Sequence, residues 1–167
     1  PIYVSNDEEL TIPADPDVRN FSFTLVDGDV YFRENSIMRK VELNATAQNR
    51  IKGMIAIRDC VRTLIEYQTE GYPDWEIQKQ QEKLNTIYDD FTKKYGLINS
   101  RGNSMAFSDD SSYFLLCSLE VLDENGELER KADMFTKRTI GAKQEITKVD
   151  TSSEALAVSI GEKAKID

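Results

Sequence analysis

Asp109 and Asp110 are the residues of this chain best placed to do chemistry. They stand side by side in "NSRGNSMAFSDDSSYFLLCSLEVLDENG", among serines and ahead of an apolar block. Paired carboxylates can share acid–base work or hold a hard cation. Neighbours on a helix, however, point about 100° apart and converge poorly on one ion. No further acid follows at useful spacing before Glu120. The pattern instead predicts that Ser108 or Asp109 caps a short helix from about Asp110 to Ser118, with its acids at the positive end of the helix dipole. Residues 97–107 read as a loop. The run Asp123-Glu124-Asn125-Gly126 brings its glycine too early for a calcium loop, and a turn is expected there.

Other catalytic machinery is missing from the chain. There is no histidine, which removes the commonest general base and the commonest zinc ligand. No GxxxxGK[ST], GxGxxG or GxSxG pattern occurs; "SIGEKAKID" lacks the first glycine and the final hydroxyl residue of a phosphate loop. Cys60 and Cys117 both sit in apolar stretches and read as buried, reduced thiols of a cytoplasmic protein. Nothing calls for a disulfide between them. The expectation is a chain with no activity, cofactor or metal of its own.

Charge narrows the partners. The net charge is −9, whereas a free-standing nucleic-acid binder is usually basic. The distribution is uneven. Residues 1–35 hold eight acids and two bases, but residues 36–62 hold six bases and two acids. Arg39, Lys40, Arg50, Lys52, Arg58 and Arg62, with Lys137 and Arg138, form a candidate face for the nucleic-acid backbone; Lys143 and Lys148 continue the later group. The same residues also read as the solvated face of a helix. The aromatics Tyr31, Phe32 and Phe135 could stack on bases or fill the core. Trp75 is expected as a packing anchor. No run of about 18 apolar residues suits a membrane span, and the acidic, proline-broken start does not resemble a secretory signal.

The elements that must position these residues follow from local pattern. Residues 1–19, with Pro13 and Pro16 among acids, predict an extended lead-in. "FSFTLVDGDVYFREN" predicts a hairpin turning at Asp27-Gly28, with Phe21, Phe23 and Leu25 on one face and Val30 and Phe32 opposite. Ile37 to Leu43 reads as a third strand. Asn44 or Thr46 caps a long helix on which Ile51, Met54, Ile55, Arg58, Val61, Leu64 and Ile65 recur at three- and four-residue steps. A second helix starts near Pro73 and stops at Gly96. The short link between them predicts antiparallel packing. A further hairpin turns at Asn125-Gly126, and a capped helix is expected from about Thr151. The fold class is α+β: an antiparallel helical hairpin (45–70 and 73–95) packed with small antiparallel β-hairpins. The expected organisation is a lead-in at 1–19, one accessory domain at 20–150, and the start of a further helical segment at 151–167.

Several longer stretches carry a resemblance. "NFSFTLVDGDVYFREN", "LNATAQNRIKGMIAIRDCVRTLIEYQ", "KYGLINSRGNSMAFSDDSSYFLLCSLEVLDENGELERKADMFTKRTI" and "DTSSEALAVSIGEKAKID" resemble one region of very large proteins of bacterial conjugative transposons, plasmids and phages. Those proteins join an N-6 adenine-specific DNA methylase to a Swi/Snf-type superfamily-two helicase. The resemblance covers about residues 12–167 and implies an intervening region between the two cores. The chain has no Asn-Pro-Pro-[Tyr/Phe] motif and no helicase phosphate loop for an Asp-Glu-x-x box to serve, so no catalytic residue carries over. The resemblance implies a non-catalytic accessory domain that positions the two cores, with the rest of its parent polypeptide as partner and DNA backbone as a further contact. A protein-interaction module without DNA contact is the competing expectation. The first residue, Pro1, and the end at Asp167 fit a piece of a longer protein.

Overall fold

A computed structural model describes residues 10–140. The helix expected from Thr151, Lys143, Lys148 and the first part of the lead-in lie outside the described residues. Strands β1 (Thr11–Pro13), β2 (Phe23–Val26), β3 (Asp29–Glu34) and β4 (Ile37–Lys40) precede two long helices, α1 (Ala45–Thr69) and α2 (Asp74–Tyr95). Two short helices follow, α3 (Arg101–Phe107) and α4 (Tyr113–Cys117). Strands β5 (Glu120–Leu122) and β6 (Leu128–Lys131) and a single 3-10 turn (Asp133–Phe135) come last. The α+β class is as expected.

The described chain falls into two compact units. The first comprises 10–59 and Asn85–Ala132; the second comprises Cys60–Leu84 and 133–140. Helices α1 and α2 each contribute one part to each unit.

In the first unit the four strands form one antiparallel sheet in the order β1-β4-β3-β2. Asp27 and Gly28 both have positive φ, at 52° and 86°, the geometry of the tight turn that matches strand twist. Phe23 lies opposite Phe32 and Leu25 opposite Val30, the pairing expected. Strand β4 ends at Lys40, short of Leu43. Part of the expected lead-in is a strand: Thr11 pairs with Arg39 and Pro13 with Ile37. Pro13 is tolerated because β1 is an edge.

The expected shared face of Phe21, Phe23 and Leu25 does not form. Phe21 has φ 58°. Both Phe21 and Ser22 oppose Arg33: Phe21 N–H donates to Arg33 O, and Arg33 N–H donates to Ser22 O, each at 2.9 Å. This is a bulge that inserts one residue and shifts the alternation. Ser22 and Phe23 are both buried, while Phe21 and Leu25 are exposed.

Asn44 caps α1, its side chain accepting from Ala47 N–H at 2.8 Å. Gly96 ends α2 with φ 85°. The helices pair antiparallel. In the first unit Gly53 lies against the Phe91 ring; in the second, Cys60 Sγ reaches Gln80 O at 3.8 Å. The core of the second unit is Val61, Leu64, Ile77, Leu84 and Phe135. Two buried glutamines fasten its last segment. Gln68 Oε1 accepts from Thr139 N–H and Ile140 N–H at 2.7 and 2.8 Å, and Gln81 Nε2 donates to Met134 O and Lys137 O at 3.2 and 3.0 Å.

Residues 97–107 are not a loop throughout. Ser100 caps α3 with its side chain. The next helix begins at Tyr113 with Ser112 as its cap residue, later than expected. The turn at Asp123–Gly126 is as expected: Asp123 Oδ1 accepts from Asn125 N–H at 2.8 Å and from Glu127 N–H at 3.0 Å.

A Cβ at Gly53 would stand 2.4 Å from Phe91 Cδ1. Gly53→Ala should therefore destabilise the chain by about 1–2 kcal/mol in urea unfolding, because overpacking outweighs a helix-propensity gain of about 1 kcal/mol.

Candidate functional site

The two adjacent acids take opposite roles. Asp109 is exposed. Asp110 is buried and saturated with donors. Its Oδ2 accepts from Phe23 N–H at 2.9 Å and from Arg58 Nη1 at 2.8 Å, and its Oδ1 accepts from Ser112 N–H at 2.7 Å. Arg58 Nη1 also donates to Phe23 O at 2.6 Å. Both backbone groups of Phe23 are thus held by one ion pair. The reason lies in the sheet order. Strand β2 is an edge, so its outward N–H and C=O lack a neighbouring strand, and burial requires other partners. Ser111 N–H adds a bond to Phe21 O at 2.8 Å. Asp110 is neither a helix cap of the expected kind nor one of a converging acid pair. It replaces a strand.

Glu120 is the second saturated carboxylate. Tyr88 Oη donates to its Oε2 at 2.7 Å, and Ile98 N–H does so at 2.8 Å. Asn99 gives N–H and Nδ2 to Oε1 at 3.0 and 2.9 Å. Burial, and then the bond to Glu120, push the Tyr88 phenol well above its ordinary range, so it stays a neutral donor. Burial also raises the thiols of Cys60 and Cys117. Cys60 is buried and Cys117 only partly so; both are free. Among the described residues no group of three or more His, Cys, Asp or Glu side chains gathers to hold a metal.

The expected nucleic-acid set divides between the units. In the first, Arg58 is only 4% exposed and faces Asp110, which withdraws it from phosphate contact. Its place in the apolar repeat of α1 already marked it as inward. Arg50 Nη1 donates to Tyr95 O at 3.0 Å and to Asn103 Oδ1 at 2.7 Å, placing a cation at the negative end of α2. Arg39 pairs with Glu34, and Lys40 lies 3.6 Å from Asp29. Lys52 is exposed. In the second unit, Arg62 is half-buried and Lys137 is exposed, 3.9 Å from Asp133. Arg138 donates to Asp74 Oδ1 at 3.2 Å and to Tyr72 O at 3.0 Å. Tyr31 and Phe135 are buried. Trp75 is 62% exposed and not a packing anchor.

One concavity of about 320 Å³ opens in the first unit, between the start of α1 and helix α3. Its lining includes Leu43, Ala47, Met105 and Ala106, with Arg50 and Gly102 beside them. Leu43 and Met105 are large exposed apolar residues. The site offers apolar surface, the Thr46 hydroxyl and an already engaged guanidinium. It has no acid, base or thiol to drive a reaction. Sequence reading missed it because α3 was not foreseen. Comparisons with known protein families, curated proteins and solved structures return no match.

Asp110→Asn should cost about 3–5 kcal/mol of stability, because it removes the buried counter-charge of Arg58 and leaves only the exposed Asp59. Asp109→Asn should stay within about 0.5 kcal/mol. Denaturant unfolding of the two variants makes the comparison. The Tyr88 phenol is raised in the folded chain, so its contribution is fully present below the ordinary value of 10.0 and is lost progressively as pH rises from there towards the higher folded value. Tyr88→Phe should flatten the fall in stability measured on the alkaline side of that value.

Proposed function

We propose that this chain is a non-catalytic accessory domain of a mobile-element DNA helicase/methylase of the kind it resembles, and that it positions its neighbours by protein contact rather than by gripping DNA. The observation that carries this reading is the use made of charge. Asp110 and Glu120 spend their acceptor capacity on the chain's own donors. Arg39, Lys40, Arg50, Arg58 and Arg138 face carboxylates or carbonyls. Exposed ion pairs are weak, at about 0–1 kcal/mol, so phosphate could compete for Arg39 and Lys40. A net charge of −9 opposes that competition. The exposed apolar surface at Leu43 and Met105 suits a protein neighbour better than a phosphate backbone.

The test uses the chain with separately purified helicase and methylase cores of that type. Co-sedimentation with at least one core is expected, weakened about tenfold when Leu43→Lys and Met105→Lys are combined. Fluorescence anisotropy should find no saturable binding of duplex or single-stranded DNA at about 50 mM salt. Saturable, salt-sensitive DNA binding, or core binding indifferent to the paired lysines, would overturn the reading.

A further inference from the structure

The link between the two long helices lies in the second unit. Tyr72 lies in the link, and Trp75 lies in the first turn of α2; both are exposed. A large aromatic left open to water is costly surface, and Trp and Tyr are the side chains that most often anchor a protein contact. The mounting is firm. Gly71 takes φ 77°, Pro73 pre-sets the entry to α2, and the Tyr72 ring stacks on Tyr67 with centroids 4.2 Å apart and planes 18° apart.

The charge around these rings selects a partner. Residues 66–79 hold Glu66, Glu70, Asp74 and Glu76 against a single base, Lys79. Two cations of this same chain already gather there. Lys79 Nζ stands 6.0 Å from the centre of the Trp75 ring. Arg138 donates to Tyr72 O, Asp74 Oδ1 and Gln68 O at 3.0, 3.2 and 3.4 Å. The link thus already seats one guanidinium. Four carboxylates against Lys79 and Arg138 leave the surface net acidic, which favours a further cation over phosphate.

We propose that the Tyr72–Trp75 surface docks an arginine-bearing segment of a partner protein, with a guanidinium stacked on Trp75 in place of Lys79 and paired to the neighbouring acids. Arginine suits the surface better than lysine because its plane stacks on a ring while its edge donates to carboxylates. The inference rests on the protein-contact reading above and names a second surface, apart from the Leu43–Met105 groove, with its own partner chemistry.

The test uses the full chain and a short labelled peptide carrying several arginines among alanines. Trp75 is the sole tryptophan, so its fluorescence reports occupancy directly. The arginine peptide should shift Trp75 emission and bind in anisotropy. Its lysine counterpart should bind several-fold more weakly, and its citrulline counterpart should not bind. Trp75→Ala should weaken binding about tenfold with an unchanged thermal melt. Lys79→Ala should leave binding equal or stronger. The groove variant, with lysines at positions 43 and 105, should bind the peptide as the parent does; this separates failure here from failure of the groove. Equal binding of arginine and citrulline peptides, or retention of binding in Trp75→Ala, would each overturn the proposal.

Discussion

The buried edge of strand β2 is the constraint on which the first unit depends. An edge strand carries backbone donors and acceptors with no neighbouring strand, and water serves them only if the edge stays wet. Here the edge is dry at Phe23, whose N–H and C=O are taken by Asp110 and Arg58. One ion pair therefore ties together the sheet, helix α1 and the segment before α4. Each charge is met by the other and by Phe23, with Ser112 N–H added at Asp110 and the Asp59 carboxylate added at Arg58. Buried pairs add little net stability over apolar substitutes of equal volume, but losing one partner is severe. The pair is better understood as a device that fixes which strand edge meets which helix.

Glu120 repeats the logic at another place in the first unit. It collects the N–H groups of Ile98 and Asn99 just beyond the end of α2, together with the Tyr88 phenol. Nearby, Asn103 donates to the carbonyls of Tyr95, Gly96 and Leu97, and Arg50 adds a cation to the same helix end. Polar side chains thus do the work of regular structure where the backbone turns. Of the two adjacent acids, Asp110 holds the fold: its acceptor sites are filled by the protein's own donors, which leaves little capacity for a substrate or an ion.

That division leaves the surface with a particular character. Several cations that would draw phosphate are bound to acids and carbonyls, while apolar side chains remain open at Leu43 and Met105 in one unit and at Tyr72 and Trp75 in the other.

Local features were legible in the sequence. Turns at Asp27-Gly28 and Asn125-Gly126, the Asn44 cap, the Gly96 stop and both long helices depend on residues a few positions apart, and such geometry is set by neighbours along the chain. What tertiary structure alone decided involves partners far apart. Arg58 and Asp110 are separated by 52 positions, and no local pattern says which cation a buried acid will meet, although the place of Arg58 in an apolar repeat signalled that it points inward. The bulge at Phe21 was hidden because its cause, the pairing of two residues with Arg33, lies across the sheet. Helix α3 was hidden because a short, glycine-containing segment has weak intrinsic preference and is held by the Ser100 cap and by contacts of Asn103 and Phe107. Composition and periodicity determined that this is an α+β chain without a familiar catalytic motif. Only the folded arrangement decided that Asp110 and Glu120 are spent on the chain's own donors, because a carboxylate's role depends on which donors come to surround it.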